Sequence, residues 1–161
     1  TSMARTHAYA PSGERVVDQI PRNRGKVLTV IGAMRTSGET HLMTIDVGTS
    51  GDVFRSYVEC VLVPELRPGD IVVMDNLGAH KVKAARALIE SAGAHVHWLP
   101  PYSPETNPIE LFWSWMKAKL RTLRARSREA LDQGIRTIAS ELTDVIAQGW
   151  TKHCGYKDLR T

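Results

Sequence analysis

Three segments follow one another between residues 71 and 100: "IVVMD" (71–75), "HKVKAARALIESAG" (80–93) and "AHVHWLP" (94–100). The first is a short unbroken apolar run, the pattern of a strand buried on both faces and paired in parallel. In the second, Val82, Ala85, Leu88, Ile89 and Ala92 share one helical face, and Gly93 is a natural stop. The third reads as a strand. Strand, helix and strand at this spacing make a βαβ unit with a right-handed crossover. No other feature constrains the fold as much, because parallel strands require a crossover that covers the sheet.

The flanking segments fit around that unit. "KVLTVIGAM" (26–34), the turn "RTSGE" and "THLMTIDV" (40–47) predict an antiparallel β-hairpin. Residues 50–66 place Val53, Tyr57, Cys60 and Val61 at helical spacing, with Pro64 ending the helix. Residues 1–25 read as loop with one short strand. "LPPYSPETNPIELFW" (99–113) sets four prolines before a helix. Asn107 suits its N-cap and Pro108 its first turn. Ile109, Phe112, Trp113, Met116, Leu120 and Leu123 then repeat at helical spacing to about Arg124. A last helix over about 128–142 carries Leu131, Ile135, Ile138 and Leu142, and the tail "GWTKHCGY" receives no element. The expectation is an α/β sheet with a hairpin on one side and parallel strands on the other.

Composition narrows the class. The chain has 161 residues and a net charge of +4, enough for one domain with a core and compatible with an anionic partner. Two cysteines, Cys60 and Cys154, make no disulfide framework and suit a reducing intracellular setting. No run reaches the ~20 apolar residues of a membrane span, and no export signal opens the chain. The pattern G-x-G-x-x-G is absent, so "VIGAMRTSG" is not a phosphate loop.

Asp75 closes the first strand of the βαβ unit, and ligands of α/β sheets gather beyond the carboxyl ends of strands. Its other reading is a turn-forming residue. Glu110 stands three residues after Asn107, so Asn-x-x-Glu reads as a capping box, and the carboxylate also suits the positive end of the helix dipole. The stiff Pro-rich crossing also offers to bring Glu110 beside Asp75. Two carboxylates meeting in a cleft repel, and a hard divalent cation such as Mg²⁺ or Mn²⁺ relieves that repulsion. His80, five residues after Asp75, approaches the same place from its loop. Lys117, Lys119, Arg121 and Arg124, continued by Arg126 and Arg128, form either a solvated helix face or a phosphate-binding track. Trp115 cannot share the core face with Trp113; it either stacks on a base or packs on another segment. His95 and His97 share a strand face without further ligands and read as half-exposed strand residues.

"VVMDNLGAHK" followed by "LPPYSPETNPIELFWSWMKAKLR" resembles the catalytic core of bacterial IS630-type transposases, within the Tc1/mariner group of DDE enzymes. "TSMARTHAYAPSGER", "LVPELRPGDIV" and "HCGY" extend the likeness over nearly the whole chain. The 34 residues between Asp75 and Glu110 are similar to the interval between that family's second and third acids. The resemblance implies an RNase H-like mixed sheet flanked by helices, occupying residues 1–161 as a single catalytic domain. It implies metal-dependent DNA cleavage and strand transfer at transposon ends, with two Mg²⁺ or Mn²⁺ ions in the complete enzyme. Asp75 and Glu110 would be ligands to the metal. The partners would be double-stranded DNA at transposon ends and target, with a second copy or a full-length transposase as protein partners. The setting would be the bacterial cytoplasm, at the nucleoid, with no membrane.

One departure matters. The family's first aspartate lies on a first strand just before the segment resembling Thr1–Ser2–Met3. By this resemblance the chain is N-terminally truncated, without its first, central strand and without the helix-turn-helix region that reads transposon ends. Neither Asp18 nor Asp46 matches the position of the first acid. The alternative function is therefore a catalytically inactive remnant, or a regulatory fragment that binds DNA or transposase. An RNase H-like nuclease unrelated to transposition is a third reading.

Overall fold

A computed structural model describes residues 9–15, 17, 28–125 and 127–156. Most of the expected N-terminal loop, with Asp18, and Arg126 of the basic run lie outside the described residues. In chain order the elements are β1 (Thr29–Met34), β2 (Thr40–Ile45), α1 (Gly51–Tyr57), β3 (Ile71–Met74), α2 (Lys83–Ser91), β4 (His95–Trp98), α3 (Pro108–Leu123), α4 (Arg128–Ser140) and α5 (Asp144–His153). The fold is mixed α/β.

The hairpin forms as the pattern predicts. β1 and β2 pair antiparallel, from Thr29 opposite Ile45 to Met34 opposite Thr40. Gly38 makes the turn with φ +88°. Strand periodicity then sends side chains both ways. Ile31, Ala33, Met43 and Ile45 enter one core with Phe54, Tyr57, Met74 and Ile89. Val30, Met34 and Leu42 face a second core built by Phe112, Met116, Leu120, Ile135 and Ile138. The hairpin is thus a wall shared by two cores. Gly32 is part of the reason: a Cβ there would lie 2.3 Å from Leu42 and 3.1 Å from Trp113, so a side chain would push α3 off the hairpin.

The βαβ unit is also present. β3 and β4 pair in parallel, from Ile71 beside His95 to Met74 beside Trp98, with α2 as the crossover. Gly93 ends α2 with φ +82°. The expectation that β3 is buried on both faces is corrected. Val72, Met74, Val96 and Trp98 pack on the first core, but Ile71 is 62% exposed. His95 and His97 are exposed on β4. Among the described residues only one face of this pair is covered.

Three other expectations change. The single sheet is replaced by two two-stranded sheets that share no hydrogen bonds among the described residues. The helix over 50–66 is three pieces: α1, a π-helical turn (Val58–Leu62) and a 3₁₀ turn (Val63–Glu65) that carries Pro64 in its first turn. Its buried face is Phe54, Tyr57, Val58 and Leu62, and Cys60 is exposed. Proline needs no amide partner at a helix start, so it opens the last turn instead of stopping the helix before it. Finally, the tail forms α5, capped by the Thr143 side chain accepting from the Ile146 N–H. Trp150 of α5 meets Trp115 of α3 edge to face at 5.9 Å.

Between the end of β1 and the start of β3, Arg35 grips Asp70 with two guanidinium nitrogens, at 2.7 and 3.3 Å. That hydrogen bond holds the Asp70 carboxyl below its ordinary range. Its stabilising effect is therefore full above the usual carboxylate pKa and is lost as pH falls through the lowered folded value. In urea titrations, Asp70→Asn should be less stable than the native chain at neutral pH. The gap should close as pH drops below about 4.

A second test concerns the turn. A Cβ on Gly38 would stand 2.9 Å from the Leu142 carbonyl oxygen and 2.9 Å from the Thr143 carbonyl carbon, and φ is positive there. Gly38→Ala should destabilise the chain by about 1–3 kcal/mol, read as a shift of the denaturation midpoint at unchanged slope.

Candidate functional site

The parallel pair sets the site. The ladder runs one step past β3, with the Leu99 N–H donating to the Met74 carbonyl at 2.9 Å. The Asn76 side-chain amide then donates to the Leu99 carbonyl. These two bonds hold the exits of β3 and β4 side by side. One exit carries Asp75. The other enters Pro100–Pro101 and reaches α3.

The crossing is stiff for reasons the sequence states. Pro100, Pro101, Pro104 and Pro108 fix φ and remove donors. Local bonds supply the rest: the Thr106 hydroxyl donates to the Ser103 carbonyl at 2.7 Å, and the Asn107 N–H donates to the Pro104 carbonyl at 3.0 Å. That last bond corrects the capping-box expectation. A Glu110 carboxylate capping Asn107 would need the amide proton that Pro104 already takes. Asn107 is the N-cap by position but its side chain makes no capping bond, and it is buried at 6% exposure. Among the described residues the Glu110 carboxylate has no hydrogen-bond or ion-pair partner. Its placement in the first turn of α3 still suits the helix dipole.

Asp75 and Glu110 line one cleft of about 400 Å³. Asn76, Lys81, Leu99, Tyr102 and Asn107 share its walls. Asp75 is anchored through a single oxygen. Oδ1 accepts from the Leu77 N–H at 3.0 Å and faces His80 Nδ1 at 2.6 Å. Oδ2 has no donor among the described residues. His80 is itself fixed by its ring lying 4.5 Å from that of Phe54 on α1. So α1 buttresses His80, His80 orients Asp75, and one carboxylate oxygen stays available. A pair of hard oxygen donors in one cleft fits a divalent cation of the Mg²⁺ type. Among the described residues no group of three His, Cys, Asp or Glu stands close enough to hold a metal ion.

The basic candidates divide. Lys117 and Arg121 follow Glu110 by seven and eleven positions on α3, along one flank of the core stripe, with Lys117 exposed and Arg121 half-buried. At 1.5 Å per residue they extend roughly 10 and 17 Å from it along the axis. Arg124 ends α3 in the left-handed conformation, φ 52°. Lys119 lies on another side: it pairs with Glu141 and sits 4.6 Å above the Trp115 ring. Trp115 is half-buried between Phe112 and Trp150, so of its two readings, packing describes its place here. Arg128 pairs with Asp132 at 2.8 Å and also with Asp46. Asp46 is therefore engaged away from the cleft.

A larger groove of about 600 Å³ runs between β2 and α4, lined by Thr40, Thr44, Asp132 and Arg136 among others. It contains none of the expected site residues. Asn76, Lys81 and Tyr102 are the cleft residues that sequence reasoning passed over. Asn76 had a readable signal, since a side-chain donor directly after a strand-ending acid can reach the neighbouring strand's exit.

Residues 1–132 match the family described as DDE superfamily endonuclease. The match spans well over half the chain, and the protein belongs to that family. Such enzymes generally use divalent metal ions and act on DNA. No curated protein matches the chain. No helix among the described residues is long and apolar enough to cross a membrane.

Asn76→Ala should cost about 1–3 kcal/mol by leaving the Leu99 carbonyl without its side-chain donor. Amide hydrogen exchange should quicken at Leu99 while that of the hairpin stays unchanged.

Proposed function

We propose that this chain is the catalytic region of an IS630-type transposase in the Tc1/mariner group, cutting and joining DNA at transposon ends. The observation that carries this is the shared cleft of Asp75 and Glu110, reached from residues 34 positions apart in the chain. In this reading Asp75 Oδ2 and the Glu110 carboxylate hold Mg²⁺ or Mn²⁺. The ion would activate water or a 3′-hydroxyl and polarise the phosphodiester. His80 and the Leu77 N–H keep Asp75 in one orientation, so the free oxygen needs no reorganisation on binding. Lys117 and Arg121 lie on the face that leads from Glu110, where a DNA backbone leaving the cleft would meet positive charge. Arg124, at the end of α3, adds to the same field, whereas Lys119 is neutralised by Glu141.

The fold proposal follows from the two sheets. Among the described residues they share a core but no strand pairing, and Arg35–Asp70 ties the end of β1 to the start of β3. A strand from outside the described residues, paired with β1 on one side and β3 on the other, would join them into one RNase H-like mixed sheet. An acid on that strand would complete the ligand set.

A second reading is supported by the ligand count: two acids without a third among the described residues make a weak site. On that reading the 161-residue chain binds DNA or a complete transposase without cutting.

Manganese titration followed by electron paramagnetic resonance separates these ideas from a purely structural role. Asp75→Asn and Glu110→Gln should each weaken Mn²⁺ binding tenfold or more, with thermal stability little changed. Unchanged affinity in both variants would remove the cleft from the chemistry. With supercoiled DNA and Mg²⁺ or Mn²⁺, the second reading expects no nicks from this chain. Robust nicking abolished by Asp75→Asn would rule out the second reading.

A further inference from the structure

Tyr102 is the residue in the cleft wall that the fold least explains. Its backbone has φ +59°, in the left-handed region. It follows Pro101 in a turn, where glycine or asparagine ordinarily takes the positive-φ position. The other non-glycine residue with positive φ among those described, Arg124, ends helix α3, where a left-handed residue is a common stop. Tyr102 has no such role. Nor does its side chain repay the strain by packing, because the residue is 102% exposed. A bulky ring in a strained conformation, touching only solvent, has no stabilising function in the free chain. Yet it lines the same cleft as Asp75 and Glu110. The turn is braced on both sides by Pro100, Pro101 and Pro104, so the ring is presented by a stiff support.

We infer that Tyr102 is a stacking platform for an unpaired nucleobase next to the phosphodiester held in the cleft. A phenol ring offers a flat apolar face to any base, and each such stack contributes substantially to single-strand affinity without sequence preference. DNA is the occupant rather than a peptide or lipid because Tyr102 belongs to the wall of a cleft that also holds a carboxylate pair suited to a phosphate-bound cation. Lys117 and Arg121 extend from the same helix start. This assignment rests on the reading of the cleft given above.

The test uses a forked DNA carrying 2-aminopurine in its unpaired arm, with Ca²⁺ present, and three chains: native, Tyr102→Gly and Tyr102→Phe. Glycine relieves the backbone and removes the ring, whereas phenylalanine keeps both the strain and the stacking face. The expected result is a melting temperature for Tyr102→Gly equal to or above native, with fork affinity roughly tenfold lower and 2-aminopurine quenching lost. Tyr102→Phe should match the native chain in both readouts. Equal affinity and quenching for Tyr102→Gly overturn the inference. A Phe variant as weak as the Gly variant overturns it too, as does a lowered melting temperature for Tyr102→Gly or the absence of native fork binding. Mn²⁺ titration of the same chains keeps the two readings apart. Affinity that needs Asp75 and Glu110 but ignores Tyr102→Gly leaves the cleft intact even if the platform fails. Affinity indifferent to both acids removes the cleft reading on its own.

Discussion

The pairing of β3 with β4 fixes where both strands end, and the cleft depends on those ends. Parallel strands finish at the same edge of their sheet, so the residues after them become neighbours however far apart they lie in sequence. Here the Leu99 amide and the Asn76 side chain carry the pairing beyond the last ladder step. Without that extension, the chain after Met74 and the chain after Trp98 would diverge. The proline-rich crossing then has one short path to α3, and that path places Glu110 across from Asp75. Stiffness matters because two carboxylates repel. A flexible connection would let them separate, whereas this one holds them in a shared cleft that a cation can neutralise.

Support for that edge comes from a layered interior. The hairpin β1–β2 is apolar on both faces and divides two cores, one under α1, α2 and the parallel pair, the other under α3, α4 and α5. Gly32 lets Trp113 close onto the hairpin, so α3 is seated against the same wall that backs α1. α1 in turn positions His80 through Phe54. The orientation of Asp75 therefore traces back through an imidazole and a phenyl ring to the first core, while the position of Glu110 traces to the second. The hairpin packs against both of these cores.

Charge is distributed with the same economy. Arg35–Asp70, Arg128–Asp46 and Lys119–Glu141 use acids and bases to join elements. Partly exposed pairs of this kind contribute modestly to stability, but they take those groups out of the pool for ligand contact. Among the described residues lining the cleft, the charged ones are Asp75, Glu110 and Lys81, and Lys117 and Arg121 follow Glu110 along α3. The net charge of +4 says less about DNA than this sorting does.

Local patterns were enough to specify the hairpin, the βαβ unit, α3 and α4, because each rests on a period of two or 3.6 residues and on nearby turn chemistry. The same reasoning isolated Asp75 and Glu110 from strand-end position and a proline-stiffened approach. It failed where a neighbour outside the local window settled the matter. Glu110 escaped the capping box because Pro104 takes the Asn107 amide proton. Cys60 faces outward because Phe54, Tyr57, Val58 and Leu62 form the buried face and Cys60 lies to its side. Residues 144–153 became a helix partly because Trp150 finds Trp115. That Asn76, Lys81 and Tyr102 join Asp75 and Glu110 around one cleft was likewise beyond local reading, since a contact between distant segments is set by packing and pairing energies that no single stretch of chain contains.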